Sequence, residues 1–293
     1  MASSSARGAV LPALALMFNA LVFGVSWWPM RELQIHGLHP LWATAFIFVI
    51  GTAGLVVMRP GAWRGLLLHP MLWLMMAASG LTNVCFNWAV TSGDVVRAVL
   101  LFYLMPAWVV LLAWLLLGER PTANSLLRLA LALAGMVVVL KTPESPWPVP
   151  QSLADGLALA GGLCFALTNV LLYRLAHTPG ESRMLAMFAG GALMSTALAG
   201  AGWGLGQVVG PPALGLTWLL IAAAVSGVFL AANLALQYGA ACLRTSTTSI
   251  IMLSEVVFAS VSSVLLGAGE LSLRTLLGGS LILLAVLLSA LSS

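Results

Sequence analysis

Continuous apolar runs of about twenty residues recur along the whole chain, and this feature restricts the possible folds more than any other. The run at 40–58, PLWATAFIFVIGTAGLVVM, carries no charged residue. A helix needs about twenty residues to cross the hydrocarbon core of a bilayer, whereas the strands of a membrane barrel alternate apolar and polar residues over about ten positions. Only 7% of the residues are charged, compared with about a quarter in a typical soluble domain. The sequence therefore predicts an all-α integral membrane protein.

The run lengths and the positions of glycine and proline predict ten transmembrane helices. We expect them at about 9–31, 40–58, 68–91, 94–117, 122–141, 152–175, 183–203, 214–240, 244–267 and 271–291. A proline-rich linker at 142–151 would separate a first unit of five helices, residues 1–141, from a second unit, residues 152–293. Eight Lys and Arg residues fall on the side of the termini and four on the other side. The positive-inside rule then places both termini in the cytoplasm.

The two units look like copies of one another. Asn83 and Asn87 in the third helix correspond to Asn233 and Gln237 in the eighth helix, at an offset of 150 residues in both cases. A unit with an odd number of helices enters the membrane in the opposite orientation when it is repeated. Inverted repeats of this kind are typical of alternating-access carriers, whose substrate site lies near the bilayer midplane between the repeats.

Glu255 lies within the apolar stretch SIIMLSEVVFASVSSVL at 249–265. A carboxylate at the centre of a bilayer is costly, so such residues usually face a cavity or a partner group. Two interpretations stay open from the sequence. Either Glu255 lines a cavity, where it exchanges protons or contacts a substrate amine, or it accepts hydrogen bonds from the freed backbone groups of a neighbouring broken helix.

Further candidate residues are polar groups or backbone-loosening residues inside otherwise apolar spans. Substrate contacts are expected from the amides and from one phenol, and hinges from a glycine and a proline. These candidates are Asn83, Asn87, Tyr103, Asn169 and Gln237 for substrate binding, and Gly24 and Pro106 as hinges. The amides are equally suited to interhelical hydrogen bonds, which are common in membrane bundles. Aromatic residues beside Tyr103 either line a pocket or simply pack the bundle.

Sequence signatures of enzymes and of resident cofactors are missing. No HExxH, GxSxG, P-loop or GxGxxG motif occurs in a convincing context. The basic residues are scattered singly, which argues against nucleic acid as a partner. We therefore expect no catalytic residue, no metal and no cofactor. The expected partners are a small-molecule substrate, the lipid bilayer and, as a candidate, protons.

Two stretches resemble the drug/metabolite transporter superfamily, in its ten-helix EamA-type branch. They are LFYLMPAWVVLLAWLLLGERPT at 101–122 and IIMLSEVVFASVSSVLLGAGELS at 250–272, whose GE pairs align Glu119 with Glu270. In that family the ninth helix often reads Glu-Pro, whereas this chain has Glu255-Val256. The acid matches, but the absence of the proline leaves open whether the ninth helix is broken.

The resemblance implies two inverted five-helix repeats around a central cavity. Within the branch, the chain is most similar to bacterial aromatic amino-acid exporters of the YddG type. The implied function is the export of amino acids, aromatic and other apolar ones among them, across the bacterial inner membrane by alternating access. A carrier of other small metabolites or drugs is the first alternative, and an intramembrane enzyme is the second.

Overall fold

Fourteen helices make up the chain in the computed structural model, which describes residues 2–92, 95–140, 150, 152–267 and 273–290. No strand occurs among these residues. The helices are α1 Ala2–Val25, α2 Trp27–Ile35, α3 Pro40–Met58, α4 Ala62–Leu68, α5 Pro70–Ser92, α6 Val95–Phe102, α7 Met105–Leu117, α8 Ala123–Leu140, α9 Leu153–Arg174, α10 Gly180–Gly204, α11 Leu216–Cys242, α12 Thr245–Met252, α13 Ser254–Leu265 and α14 Leu273–Ala290. Most of the predicted linker and the predicted counterpart Glu270 lie outside the described residues.

The described helices include six spans that are long and apolar enough to cross a membrane, or seven if the bent pair α4 and α5 is counted. Three shorter apolar helices accompany them, at Met105–Leu117, Ala123–Val138 and Leu276–Leu288. The helical membrane architecture is therefore confirmed. The number of ten spans and their arrangement as two repeats stay predictions.

A short helix that the sequence did not predict lies between the second and third expected spans. This helix, α4, meets α5 at an angle of 105°. His69 separates the two, and Pro70 begins α5. The residue before a proline is disfavoured in the helical region, which explains why the apolar sequence turns sharply here instead of continuing as one helix.

The first expected span, 9–31, corresponds to one apolar span at Val10–Ile35, and this span carries a local interruption at Ser26. Pro29 has no N–H with which to bond the carbonyl one turn earlier. The Ser26 N–H instead bonds the Phe23 carbonyl at 3.1 Å, and the Ser26 hydroxyl donates to the same carbonyl at 2.7 Å. This tighter local pattern ends α1 and begins α2, which continues to Ile35.

The expected span at 94–117 consists of two helices, α6 and α7, with an interruption at 103–104 close to the predicted hinge Pro106. Pro106 is the cause, since it lies in the first turn of α7 and cannot donate to the Phe102 carbonyl. The Leu104 N–H bonds the Leu101 carbonyl at 3.3 Å, three residues back. The proline that the sequence marked as a hinge therefore begins the second half of a broken helix.

The third interruption, in the expected helix at 244–267, occurs at Leu253 without any proline. The Leu253 N–H bonds the Ile250 carbonyl, and the Val256 N–H bonds the Leu253 carbonyl, both at 3.1 Å and three residues back. The Ser254 hydroxyl donates to the Ile251 carbonyl at 2.7 Å. A hydroxyl that bonds back to the preceding turn competes with the helical ladder and bends it. The ninth predicted helix is therefore broken despite its Glu-Val sequence.

Glycines bring several helix pairs into direct backbone contact. A Cβ placed on Gly80 of α5 would lie 2.6 Å from the carbonyl oxygen of Gly190 on α10, and a Cβ on Gly190 would meet the Met76 carbonyl. Small residues allow this close approach in membrane bundles, where van der Waals packing drives helix association. The close α5–α10 contact fixes one wall of the central cavity.

Candidate binding cavity

A cavity with a volume of about 160 Å³ lies in the middle of the bundle, next to two of the helix interruptions. We call it the inner chamber. It is lined by Asn19, Phe23, Phe48, Ser79, Thr82, Asn83, Phe86, Phe102, Tyr103, Met105, Phe165, Thr168, Met187, Phe188, Phe229, Asn233, Leu236, Met252 and Glu255. Broken helices at the bilayer centre free backbone polar groups and are tolerated where they line a cavity. This position is therefore where a membrane bundle is best able to hold a polar solute.

A larger and more open cavity of about 810 Å³ continues from the chamber. We call it the outer vestibule. Seven residues line both cavities, namely Phe23, Phe48, Asn83, Phe86, Tyr103, Phe229 and Glu255. At its other end the vestibule is lined by Arg31, Gln34 and His39, which lie at the end of α2 and just before α3. The two cavities together form a route from one end of the bundle to its centre.

His39 is the titratable group at the mouth of this route. Partial burial lowers the pKa of His39, because desolvation disfavours the charged imidazolium. The lowered pKa favours the neutral ring at pH 7. A neutral ring suits its local role, since Nδ1 of His39 accepts a hydrogen bond from the Leu41 N–H at 3.3 Å and so caps α3.

Glu255 and Tyr103 face each other across the chamber from two different helix breaks. Tyr103 lies in the interruption between α6 and α7, and Glu255 lies in the first turn of α13. The Tyr103 hydroxyl is a hydrogen-bond donor to the Glu255 carboxyl group. The first turn of a helix favours a negative charge, because its backbone N–H groups point toward it. The Glu255 side chain is enclosed by protein but retains exposed surface toward the two cavities.

Asn83 and Asn87 lie on the face of α5 that points toward the cavities. Asn83 lines both the chamber and the vestibule, and its Nδ2 donates to the Ser79 carbonyl of its own helix at 2.9 Å. Asn87 lines the vestibule only, and its Nδ2 donates to the Thr44 hydroxyl at 3.0 Å. The predicted amide stripe therefore runs along the route, with Asn83 at its inner end.

Asn169 and Gln237 lie outside both cavities. Asn169 is buried on α9 and donates to the Phe165 carbonyl at 3.1 Å. Gln237 lies 2.8 Å from Asn233 on its own helix, and its other contacts are with the start of α10. Its amide atoms lie 3.1 Å from the Gly180 carbonyl oxygen and 3.2 Å from the Met184 nitrogen. These contacts are structural ones between α11 and α10.

The two predicted hinges lie beside the site. Gly24 of α1 lines the vestibule and packs on α13, where a Cβ would lie 2.7 Å from the Glu255 carbonyl oxygen. Pro106 is buried in α7 and does not line either cavity, although the adjacent Met105 does. Gly24 therefore sets how closely the first helix approaches the carboxylate-bearing turn.

The predicted substrate-binding residues did not include Asn19, although the sequence shows it as a polar group in an apolar span, and they did not include most of the lining phenylalanines. Asn19 is fully buried, and its Nδ2 donates to the Ala232 carbonyl of α11 at 2.9 Å. Its Oδ1 is buried and has no hydrogen-bond partner among the described residues. The available signal was a lone amide in an otherwise apolar span, which is costly in a membrane unless it has a role.

Aromatic rings form two walls of the chamber. On one side the ring centroids of Phe86 and Phe102 lie 4.6 Å apart, and Phe102 contacts Phe165 at 5.9 Å. On the other side Phe23 stacks on Phe229 with 4.7 Å between centroids. Ring pairs at these distances are mutually stabilising. The walls are therefore preformed and offer flat apolar surfaces to a bound solute.

The opposite end of the bundle is closed by contacts between the chain segments that follow α7 and α11. The Thr245 hydroxyl donates to a carboxylate oxygen of Glu119 at 3.0 Å. Met187, Leu236 and Met252 form the adjoining lining of the chamber. Neither cavity has lining residues in the chain segments that carry this contact.

Comparisons with known proteins agree with these features. Residues 10–141 match the EamA-like transporter family. An uncharacterized transporter of Pseudomonas aeruginosa is 38% identical over 94 residues, which cover 30% of this chain and 32% of the relative. The chain thus aligns with about a third of the length of this curated relative. The similarity to the EamA-like transporter family thus covers the first part of the chain, residues 10–141.

A solved crystal structure of another protein superimposes with a TM-score of 0.74 at 19% sequence identity. The match covers 94% of this chain and 96% of the other chain. At this identity the match shows that the two folds are alike. The apolar helices describe a multi-pass membrane protein, and the matches above say which transporters parts of the chain resemble.

Proposed function

We propose that this chain is a bacterial inner-membrane carrier that exports amino acids, aromatic and other apolar ones among them. The observation that carries the proposal is the inner chamber, where a carboxyl–phenol pair, amides and aromatic walls meet beside two broken helices. A polar site at the bilayer centre, reached by an open vestibule, is the arrangement that an alternating-access carrier needs. The aromatic walls suit a flat apolar side chain, and Glu255 suits an ammonium group.

The proposed orientation follows from the distribution of basic residues. The closed end of the bundle carries Arg120 and Arg244 beside Glu119. The positive-inside rule assigns this end to the cytoplasm, together with both termini. The vestibule then opens to the outside, so the described state is the outward-open one of the proposed cycle.

Matching helix interruptions support the proposal of two inverted repeats. Leu104 ends the break before α7, and Leu253 occupies the corresponding place before α13, both in helical backbone geometry. Glycines with positive φ follow both helices, Gly118 at 71° and Gly267 at 68°. The first repeat would then supply Tyr103 and the second Glu255 to one shared site.

The experiment that tests the proposed function is counterflow in proteoliposomes. Vesicles that contain the purified protein and are loaded with unlabelled phenylalanine would receive labelled phenylalanine, tryptophan, threonine or alanine outside. We expect labelled aromatic amino acids to accumulate faster than in protein-free vesicles. If no amino acid exchanges although the protein is folded, the assigned cargo is wrong and other metabolites or drugs become the candidates.

Replacement of Tyr103 by Phe is expected to slow phenylalanine counterflow about tenfold and to lower the unfolding temperature, because the buried Glu255 carboxyl group loses its donor. The ring that packs against Phe102 at 5.8 Å is kept, and only the donor to Glu255 is lost. A hydrogen bond to a charged group contributes roughly 1.5–3 kcal/mol, so we expect a decrease of about tenfold in the initial rate. The Tyr103→Leu variant removes the ring as well as the hydroxyl, so it separates the effect of the lost hydrogen bond from the effect of the lost aromatic packing. Equal rates in wild type and Tyr103→Phe would refute the role of the hydroxyl.

A further inference from the structure

Most polar side chains of the inner chamber already donate one hydrogen bond within the protein, and each amide NH2 keeps a second N–H. Nδ2 of Asn19 donates to the Ala232 carbonyl and Nδ2 of Asn83 to the Ser79 carbonyl, both at 2.9 Å. The hydroxyls of Thr82 and Thr168 donate to carbonyls of their own helices, at 2.9 Å in each case. The Tyr103 hydroxyl is directed to Glu255. A bound anion would therefore meet only neutral amide N–H groups here.

The remaining polar lining residues fit the same pattern. The Ser79 hydroxyl donates to the Met187 carbonyl of α10 at 3.3 Å. The Asn233 amide bonds with Gln237 at 2.8 Å and lies 3.5 Å from the Met187 sulfur. Among the residues described as lining the chamber, none is Lys, Arg or His. The chamber thus has no cation that would balance a carboxylate.

Hydrogen-bond acceptors, by contrast, are left open in the chamber. The buried Asn19 Oδ1 has no donor among the described residues, although a buried polar atom is normally paired. The Glu255 carboxylate offers up to four lone-pair sites, of which the Tyr103 hydroxyl uses one. An unpaired buried acceptor and a carboxylate within one cavity of about 160 Å³ form a site for a group that carries several N–H donors.

We propose that the inner chamber recognises its cargo through a primary amine, bound by Glu255 and the Asn19 oxygen, and offers no charged partner to any carboxylate of the cargo. An ammonium group supplies three donors for these acceptors, while the aromatic walls contact its apolar body. A carboxylate buried here would lose its hydration and gain only neutral amide N–H groups in return. Aromatic and apolar primary amines without a carboxylate are therefore ligands of the same site.

This inference rests on the proposed carrier function but is tested by its own set of competitors. Three compounds share one phenyl ring: phenylalanine with both charged groups, phenethylamine with the amine only, and 3-phenylpropionate with the carboxylate only. Each would compete in the first seconds of phenylalanine counterflow, with protein-free vesicles as the control for leakage. Phenethylamine is expected to inhibit at concentrations similar to those of unlabelled phenylalanine, and 3-phenylpropionate to need at least about tenfold more, since about one charge-assisted hydrogen bond separates them.

A quaternary analogue distinguishes hydrogen bonding from simple attraction of a cation by the rings. Phenethyltrimethylammonium has the charge and the ring but no N–H, so it is expected to compete more weakly than phenethylamine. Equal competition by the two compounds would overturn the role of the Asn19 oxygen. Strong competition by 3-phenylpropionate with none by phenethylamine would overturn the proposal as a whole.

Asn169 provides a matched control for a substitution at Asn19. Both amides donate to a backbone carbonyl and both have a buried Oδ1 without a partner among the described residues, but only Asn19 lines the chamber. Asn19→Leu is expected to raise the inhibitory concentration of phenethylamine about tenfold, and Asn169→Leu to leave it unchanged. Equal effects of the two substitutions would contradict the proposal. The competitor series on the wild-type protein decides the matter even if the Asn19 variant does not fold.

Binding to the purified protein separates failure of this inference from failure of the carrier function. Phenethylamine is expected to raise the unfolding temperature of wild-type protein in detergent, and to do so less for Asn19→Leu than for Asn169→Leu. If phenylalanine does not exchange in vesicles but this pattern of stabilisation is found, the amine site stands and the amino-acid carrier function fails. If phenylalanine exchanges and phenethylamine neither competes nor stabilises, the amine site fails and the carrier function stands.

Discussion

Glu255→Gln is expected to lower the initial rate of phenylalanine counterflow at least about tenfold, because removing one partner of a buried charge pair costs several kcal/mol of binding. The variant keeps the shape of the side chain and its hydrogen bonding to Tyr103. It removes only the negative charge that faces the chamber. Initial rates measured with labelled phenylalanine at sub-saturating concentration, normalised to the amount of protein in the vesicles, give the comparison.

Glu119→Gln is the matched control for this substitution. Glu119 is also an acid that accepts a hydrogen bond from a hydroxyl, that of Thr245, but it lies at the closed end of the bundle and outside the chamber. We expect its variant to retain most of the counterflow activity. If Glu255→Gln exchanges phenylalanine as fast as wild type, the carboxylate serves the broken helix or net proton-linked flux, and it does not bind cargo.

Gly190→Val is expected to destabilise the protein by about 3 kcal/mol, or to prevent folding, because overpacking a tight contact forces the backbone to move. A Cβ at this position meets the Met76 carbonyl of α5, a backbone atom that cannot turn aside as a side chain would. The substitution therefore separates α10 from α5 along the wall that carries Asn83 and Met187. Unfolding temperature and the monodisperse fraction in detergent are the measurements.

Gly200 lies in the same helix and serves as the control, since a Cβ there has no atom within 4 Å. Gly200→Val is expected to change the free energy of unfolding by no more than about 0.5 kcal/mol, as is usual for surface substitutions. Equal unfolding temperatures for the two variants would contradict the close α5–α10 contact. A stable Gly190 variant would do the same.

The positions of the helices could be predicted from the lengths of the apolar runs, but the helix interruptions could be predicted only in part. The run at 40–58 corresponds to α3 at Pro40–Met58, since membrane thickness alone sets the length of such a helix. Pro106 gave a visible reason for one break. The break at Leu253 has no proline and depends on a single hydrogen bond from the Ser254 hydroxyl to the preceding turn. The sequence alone does not distinguish a serine that makes such a bond from one that does not.

The residues of the candidate site were predictable where burying a polar side chain in the membrane is energetically costly. They were less predictable where the rotation of a helix about its axis decides whether a residue faces the cavity. Glu255 and Tyr103 were identified because a carboxylate and a phenol in apolar spans need partners. On α9 the chamber is lined by Thr168, and its neighbour Asn169 points elsewhere. Adjacent residues of a helix differ by about 100° in direction. Spacing within one helix reveals that residues share a face, but packing of the whole bundle decides which face meets the cavity.

Depth along a helix is a second quantity that spacing does not give. Asn233 and Gln237 lie four residues apart and share one face of α11, as their sequence spacing predicted. Asn233 lines the chamber, whereas Gln237 lies one turn further toward the start of α10. Asn233 and Gln237 therefore share one helix face as predicted, but only Asn233 lines the chamber.

Protection of a chamber cysteine by cargo tests most directly whether the inner chamber is the binding site. In a background with Cys85, Cys164 and Cys242 replaced by Ala, Thr82→Cys places a thiol in the chamber and Ser260→Cys places one in the vestibule only. Phenylalanine is expected to slow the reaction of a small methanethiosulfonate with the Thr82→Cys thiol more than with the Ser260→Cys thiol. If phenylalanine exchanges across the vesicle membrane but protects neither thiol, the cargo is bound elsewhere and the assignment of the chamber is wrong.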